Sequence, residues 1–239
     1  MSAPSPIPLD ETAKRRLAEN APRTWQRMLS GRSLNLIDPS PLDVEIHDIA
    51  LGLSRNTRWN GQTSGPHGWS VAQHALLVVD ILQRTHPDSP SWVLLAALLH
   101  DAPEYVTHDL ITPLKSAVGN VFREIEARLQ TAVHIAFGLP PRLPREVATR
   151  IKRADLVAAA TEAVQLAGFT AAEAKSLLHI AAKPLDDFPL VPLPSAKAEA
   201  EFLKRFDRFY RTHRHAQGKG EGGAGKTAPA KGGTDGFRF

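Results

Sequence analysis

Cysteine is absent from the 239 residues. That excludes disulfides and thiolate ligands, so any metal ion here must be held by histidine and carboxylate. Long apolar runs are missing as well: none approaches the roughly 18 residues of a membrane span, and no membrane partner is expected. The start of the chain, MSAPSPIPLDETAKRR, has no apolar stretch of the kind a secretory signal carries, which makes the cytoplasm the expected compartment. A broad basic surface is missing too, although the net charge is +4 and the pI about 9.5. From Lys204 onward there are nine Lys/Arg against three Asp/Glu, so residues 1–203 are slightly acidic. Nucleic acid is therefore not expected as a partner, and no internal repeat is visible.

What is present suffices for one domain. At 42% hydrophobic residues, the chain can bury a full core over about 190 residues. Residues 1–22, rich in Pro, Ser and charge, read as a loose arm. Residues 23–214 read as the domain, and the Gly/Lys/Ala-rich 215–239 as a disordered tail. Within the domain, Thr24–Leu29 predicts a short helix that Gly31 ends, and Ser33–Ile37 one short strand before the turn at Asp38–Pro41. Helices are predicted from Asp43 to about Arg55, over Val71–Gln83 behind a Ser70 cap, and over 91–101, 118–137, 144–167 and 196–213. The last presents Phe202, Leu203, Phe206, Phe209 and Tyr210 to the body. Four prolines make 183–194 an extended connection. Arg58–His67 is a polar, glycine-containing loop between two helices, a natural place for substrate contact. The fold class is all-α.

The chemistry centres on WVLLAALLHDAPEYVTHDLITPLK, residues 92–115. An apolar run from Trp92 to Leu99 reads as a buried helix, and it ends on His100-Asp101. A buried His-Asp pair is costly unless something binds it, and neutral imidazole with carboxylate suits a divalent cation. Composition alone predicts about half such a dipeptide in the chain, yet there are three. His47-Asp48 lies in an amphipathic pattern and is expected on a solvated helix face. His108-Asp109 follows a proline-broken helix end, close to the site. Two ligands hold an ion poorly, so partners are expected on facing helices: His74 and Asp155, each polar on an otherwise apolar or alanine-rich helix. Simpler readings stand beside these: a satisfied core histidine for His74, and a salt bridge to Lys152 or Arg153 for Asp155. Asp155 and Glu162 share a face, but a solvated position is the default for Glu162. His134 is expected in the core.

The pattern H…HD…D resembles the HD-domain metal-dependent phosphohydrolase superfamily, a helical bundle around a divalent metal. HDAPEYVTHDLITPLK is most similar to the segment of the YfbR-like 5′-deoxynucleotidase branch that reads HD-A-x-E-x-x-x-x-D-L-x-T-P-x-K. Arg58-Trp59 likewise resembles that branch's Arg-Trp pair. The resemblance covers roughly 43–170 and departs in loop 60–69, the N-terminal arm and the C-terminal region. It implies His74, His100, Asp101 and Asp155 as ligands of one divalent ion (Mn, Co, Zn, Fe, Ni or Mg), and catalytic roles for Glu104 and Asp109. It also implies Arg58 at the phosphate and Trp59 by the sugar, and a possible homodimer. Lys115 is a weaker phosphate candidate, and His67 a possible substrate contact from its loop. The implied function is hydrolysis of deoxynucleoside monophosphates. Release of triphosphate from a deoxynucleoside triphosphate is the alternative within the class. Outside it stand a non-catalytic nucleotide sensor and a di-iron oxygenase, the latter needing His108 or His134 as added ligands.

Overall fold

The structure, a computed structural model, describes residues 23–221. It opens on a hairpin, β1 (Trp25–Arg27) and β2 (Ser33–Asn35), paired antiparallel with Gln26 opposite Leu34. The helix expected over Thr24–Leu29 is therefore not formed. Six residues cannot sustain a helix without tertiary support, and Gly31, at φ +94°, turns the chain so that pairing with Ser33–Asn35 wins. Leu34 points into the core and is fully buried. Asp48 corrects a second expectation: it is buried, not solvated. Its carboxylate accepts from the Ser30 amide (3.0 Å) and hydroxyl (2.5 Å), fastening the hairpin to the first helix.

The helices are α1 (Ile46–Arg55), α2 (Val71–Thr85), α3 (Ser91–Leu98), α4 (Glu104–Thr107) and α5 (Thr112–Val118). They continue as α6 (Asn120–Ala136), α7 (Arg145–Gln165), α8 (Ala171–Leu177) and α9 (Ser195–Glu221). Apart from the hairpin the described residues form an all-α bundle. At its centre, α2 packs against α7, α3, α1 and α9. Ser70 caps it as expected, its hydroxyl accepting from the Gln73 amide at 3.2 Å. Because α2 is enclosed, Val71, Val78, Val79 and Leu82 are all inaccessible, each contributing about 1.5–3 kcal/mol through burial. Ala154, Ala158 and Ala163 keep the buried face of α7 thin. On the far side, Phe202, Phe206 and Phe209 of α9 are buried, with Phe206 edge-on to Phe137 at 4.9 Å.

Two close approaches position the site. Gly52 in α1 lies against α4, where an added Cβ would sit 2.7 Å from both the Cβ and the carbonyl oxygen of Tyr105. The proline-rich 183–194 runs extended across the surface, held by glutamines of the two central helices. Gln73 bonds the Val191 carbonyl and the Leu193 amide. Gln165 bonds the carbonyls of Leu185 and Phe188 and the amide of Leu190. α9 continues to Glu221, past the boundary that composition placed at 214. The expected arm, 1–22, and the rest of the expected tail lie outside the described residues. No helix among the described residues is long and apolar enough to cross a membrane.

Candidate active site

α3 stops at Leu98, earlier than its apolar run suggests, and tight turns lead through His100-Asp101 to Pro103. The amides of Ala102 and Glu104 bond the carbonyls of Leu99 and Asp101, three residues back. His100 thus sits in a turn, and its Nδ1 meets the terminal helix carbonyl of Ala97 at 2.9 Å. Its Nε2 is left facing inward.

His74, one turn into α2 and fully buried, meets that pair from the side. Its Nδ1 lies 2.6 Å from Glu162 Oε1. Its Nε2 is 3.2 Å from Asp155 Oδ1 and 3.5 Å from Asp101 Oδ2, and His100 Nε2 is 3.1 Å from that same Asp101 oxygen. None of these three contacts has hydrogen-bond geometry, and both Nε2 atoms are buried without a partner among the described residues. Polar atoms orphaned in the interior cost about 1–3 kcal/mol each. His74, His100 and Asp101 bring one donor atom apiece within 4.8 Å of one another, and Asp155 joins through His74. Two imidazoles with occupied Nδ1 and free, converging Nε2, beside two carboxylates, make a donor set that fits a divalent cation. The salt bridge that the sequence left open for Asp155 is also formed, but by its other oxygen, 2.6 Å from Lys152 Nζ.

The electrostatics agree. Burial and the Arg58 charge pull His74 down, but Glu162 and Asp155 outweigh them and hold its imidazole at about 10. Burial opposes the charge on Asp101, yet the imidazoles of His100 and His74 keep it well below the usual carboxylate range. Asp155 is likewise held low, against burial, by His74, His100 and Lys152. The carboxylates around His74 are thus ionised and favour positive charge at its position.

Glu162, expected to be solvated, is completely buried. Besides His74 it accepts from Arg58 Nε at 2.8 Å and Trp59 Nε1 at 3.1 Å, both on Oε2. Burial pushes it up, but Arg58 and His74 prevail and hold it at about 2. The only sequence signal was its place seven residues after Asp155 on an alanine-rich face. Arg58 and Trp59 open a short 3-10 segment, Arg58–Gly61, in which Trp59 and Asn60 take left-handed φ of 57° and 50°. Such backbone costs about 1–3 kcal/mol per residue and persists only where the surroundings impose it. Here a bridge between Thr57 and Ser70 closes the loop, and the Arg58 amide bonds the Trp69 carbonyl at 2.8 Å. Arg58 also points a terminal nitrogen at Asp109 (3.5 Å) and Asp101 (4.0 Å). The half-buried Trp59 ring lies 6.0 Å from Phe169.

Beside His100 and Asp101 is a cavity of about 250 Å³, lined further by Glu104, Lys115, Glu126 and Gln130. Glu104 is buried with Oε2 unpartnered among the described residues. Burial first, then Asp101 and Asp109, raise its carboxyl to about 8 against Lys115 and Arg58. Lys115 bridges Glu104 and Glu126 at 3.1 and 3.4 Å, so its ammonium is already paired with two carboxylates. Asp109 is set by His108, which takes an unusual φ of 62°. His67 is exposed, and no hydrogen bond or ion pair among the described residues joins it to the cluster. His108 is exposed, while His134 is a core residue bonded to the Pro140 carbonyl and Gln130.

A helical bundle in which a buried apolar helix gives way to a His-Asp pair, facing a buried histidine and an aspartate from two further helices, has the fold of an HD-type hydrolase. The chain matches the family model described as 5′-deoxynucleotidase YfbR-like over residues 51–184, and it belongs to that family. It is 55% identical over 152 residues to an uncharacterized protein of Rhodobacter capsulatus, covering 64% of this chain and 78% of the relative. It is 32% identical over 165 residues to the uncharacterized protein YfdR of Escherichia coli K12, covering 69% of this chain and 84% of that protein.

Proposed function

We propose that the protein is a metal-dependent phosphohydrolase acting on 5′-deoxynucleoside monophosphates. The observation that carries this is the pair of buried, unpartnered Nε2 atoms of His74 and His100 converging on Asp101. His74, His100, Asp101 and Asp155 would hold the ion. When bound, it supplies Lewis acidity toward a phosphate oxygen and the attacking water.

The chain's own residues do the rest. Arg58, immobilised by Glu162 and facing Asp109, offers its remaining guanidinium N–H groups to the phosphate. That arrangement is pre-organised for a dianion and needs no reorganisation as charge shifts in the transition state. Glu104 lines the cavity beside His100-Asp101; its carboxylate form takes the proton from water as the water oxygen attacks phosphorus, and returns that proton to O5′ as the bond from phosphorus to O5′ breaks, so the nucleoside leaves neutral. Asp109 orders Arg58 and the water. Trp59, tied through its indole N–H, presents a ring edge to the sugar, where a 2′-hydroxyl would be crowded. Lys115 lowers the cost of the Glu104 charge, and this supports a positioning role for it over direct phosphate contact. Family membership supports the reaction class, and the exposed His67 belongs to a loop that a nucleotide could reach.

The test is phosphate release by chelator-stripped protein, with Mn²⁺ or Co²⁺ restored, across deoxy- and ribonucleoside monophosphates and deoxynucleoside triphosphates. Orthophosphate released preferentially from deoxynucleoside monophosphates is expected. Tripolyphosphate release would select the triphosphohydrolase reading. No release from any nucleotide would reduce the protein to a binding module, and iron-dependent O₂ uptake would make it an oxygenase.

A further inference from the structure

The adjacent Arg58 and Trp59 of the loop and His74 of α2 lie on different elements, yet they share one carboxylate. Glu162 Oε1 meets His74 Nδ1 at 2.6 Å, while Oε2 accepts from Arg58 Nε and Trp59 Nε1. The carboxylate is inaccessible, so water cannot replace any of these bonds.

We propose that Glu162 is a positioning residue that couples ion binding to nucleotide recognition. This rests on the phosphohydrolase reading given above. Oε1 holds a proton of His74 on Nδ1, so that Nε2, once it gives up its own proton to an ion, directs its lone pair toward the side of Asp101 and Asp155. A carboxylate behind a metal-binding imidazole fixes both ring orientation and tautomer. Oε2 holds Arg58 and Trp59 in the left-handed turn at residues 59–60. Because both oxygens belong to one rigid planar group, rotation that improves one side disturbs the other.

The chemistry of the amide makes this testable. Gln at 162 has one acceptor and one donor end, whereas all three partners donate. With its oxygen toward Arg58 and Trp59, its NH₂ faces His74 Nδ1 and selects the tautomer protonated on Nε2, which cannot bind an ion. With the amide reversed, the NH₂ opposes two N–H donors and the Arg58-Trp59 turn is released. The first orientation is expected, since it keeps two bonds, one of them to a charge. E162D is the second variant: it retains the negative charge beside Arg58 but is one methylene too short to serve both sides.

The experiment uses the full chain, stripped of metal, for wild type, E162Q and E162D. Mn²⁺ affinity is read by electron paramagnetic resonance. The Trp59 indole N–H is read as its ¹⁵N–¹H resonance, identified by its loss in W59F. Glu162→Gln is expected to weaken Mn²⁺ about tenfold, within the range for such supporting carboxylates. Glu162→Asp is expected to weaken Mn²⁺ or shift the indole resonance. With restored metal, the preference for deoxy- over ribonucleotide should fall alongside any indole shift. Wild-type Mn²⁺ affinity together with an unmoved indole resonance, in either folded variant, overturns the proposal. Neither readout needs turnover, so a wild-type protein that hydrolyses no nucleotide would sink the phosphohydrolase reading while leaving this one decided.

Discussion

Ion binding to this site should expel a proton, taken from His74. His74, held at about 10 by Glu162 and Asp155, carries protons on both nitrogens at neutral pH when no ion is bound. The Nδ1 proton stays with Glu162, so the Nε2 proton must leave for an ion to enter. Asp101 and Asp155 are already ionised and contribute none. At pH 7 the competition spans roughly three pH units, about 4 kcal/mol. Apparent affinity for Mn²⁺ or Zn²⁺ should therefore rise about tenfold per pH unit from 7 toward 10 and then flatten. Folding stability carries the same signature. A histidine raised above its unfolded value of 6.5 contributes stability that is complete below that value and lost as pH climbs through about 10. Glu104, raised from 4.5 to about 8, adds a loss of the same sign between those two values, because the unfolded chain ionises first. The ion-free protein should thus weaken as pH rises, while the loaded protein resists. Calorimetric titration at pH 7.5 in buffers of different ionisation enthalpy measures the proton count directly. About one proton released per ion is expected. None released, with an affinity flat from pH 7 to 9, would refute the reasoning.

Glu104→Gln should lower kcat by about 10²–10⁴-fold while leaving Mn²⁺ affinity near wild type, measured by phosphate release and by resonance titration on one preparation. Asp48→Ala removes the acceptor for both Ser30 bonds and should cost about 1–3 kcal/mol in urea unfolding without changing KM, since those bonds hold the hairpin and involve no residue of the cluster. Gly52→Ala places a methyl 2.7 Å from Tyr105 and should destabilise by about 1–3 kcal/mol. Any fall in kcat in that variant should follow displacement of α4, read from the chemical shift of Glu104.

How much was legible beforehand depended on the range of the interaction behind each feature. The apolar run into His100-Asp101, the Ser70 cap and the four prolines of 183–194 are local, since hydrophobic periodicity, capping and fixed φ act over a few residues. The same locality made His74 and Asp155 visible, because a polar residue inside an apolar or alanine-rich stripe contradicts its neighbours. The strand at Ser33–Asn35 is legible from its alternation, whereas Trp25–Arg27 reads as helix, which six residues favour only weakly; its state comes from strand pairing and from Asp48, eighteen positions from Ser30. Glu162 was missed for the same reason. Apart from its place seven residues after Asp155, nothing nearby distinguishes it from a solvated glutamate; its role comes from Arg58, 104 positions away, and from His74, 88 away. The amino-acid order by itself determined that this chain is a helical domain with histidine–carboxylate chemistry at the end of a buried helix. Only the tertiary structure decided which carboxylates face the imidazoles and which one binds the recognition loop to them, because the cost of burying a charge is set by partners that folding alone brings near.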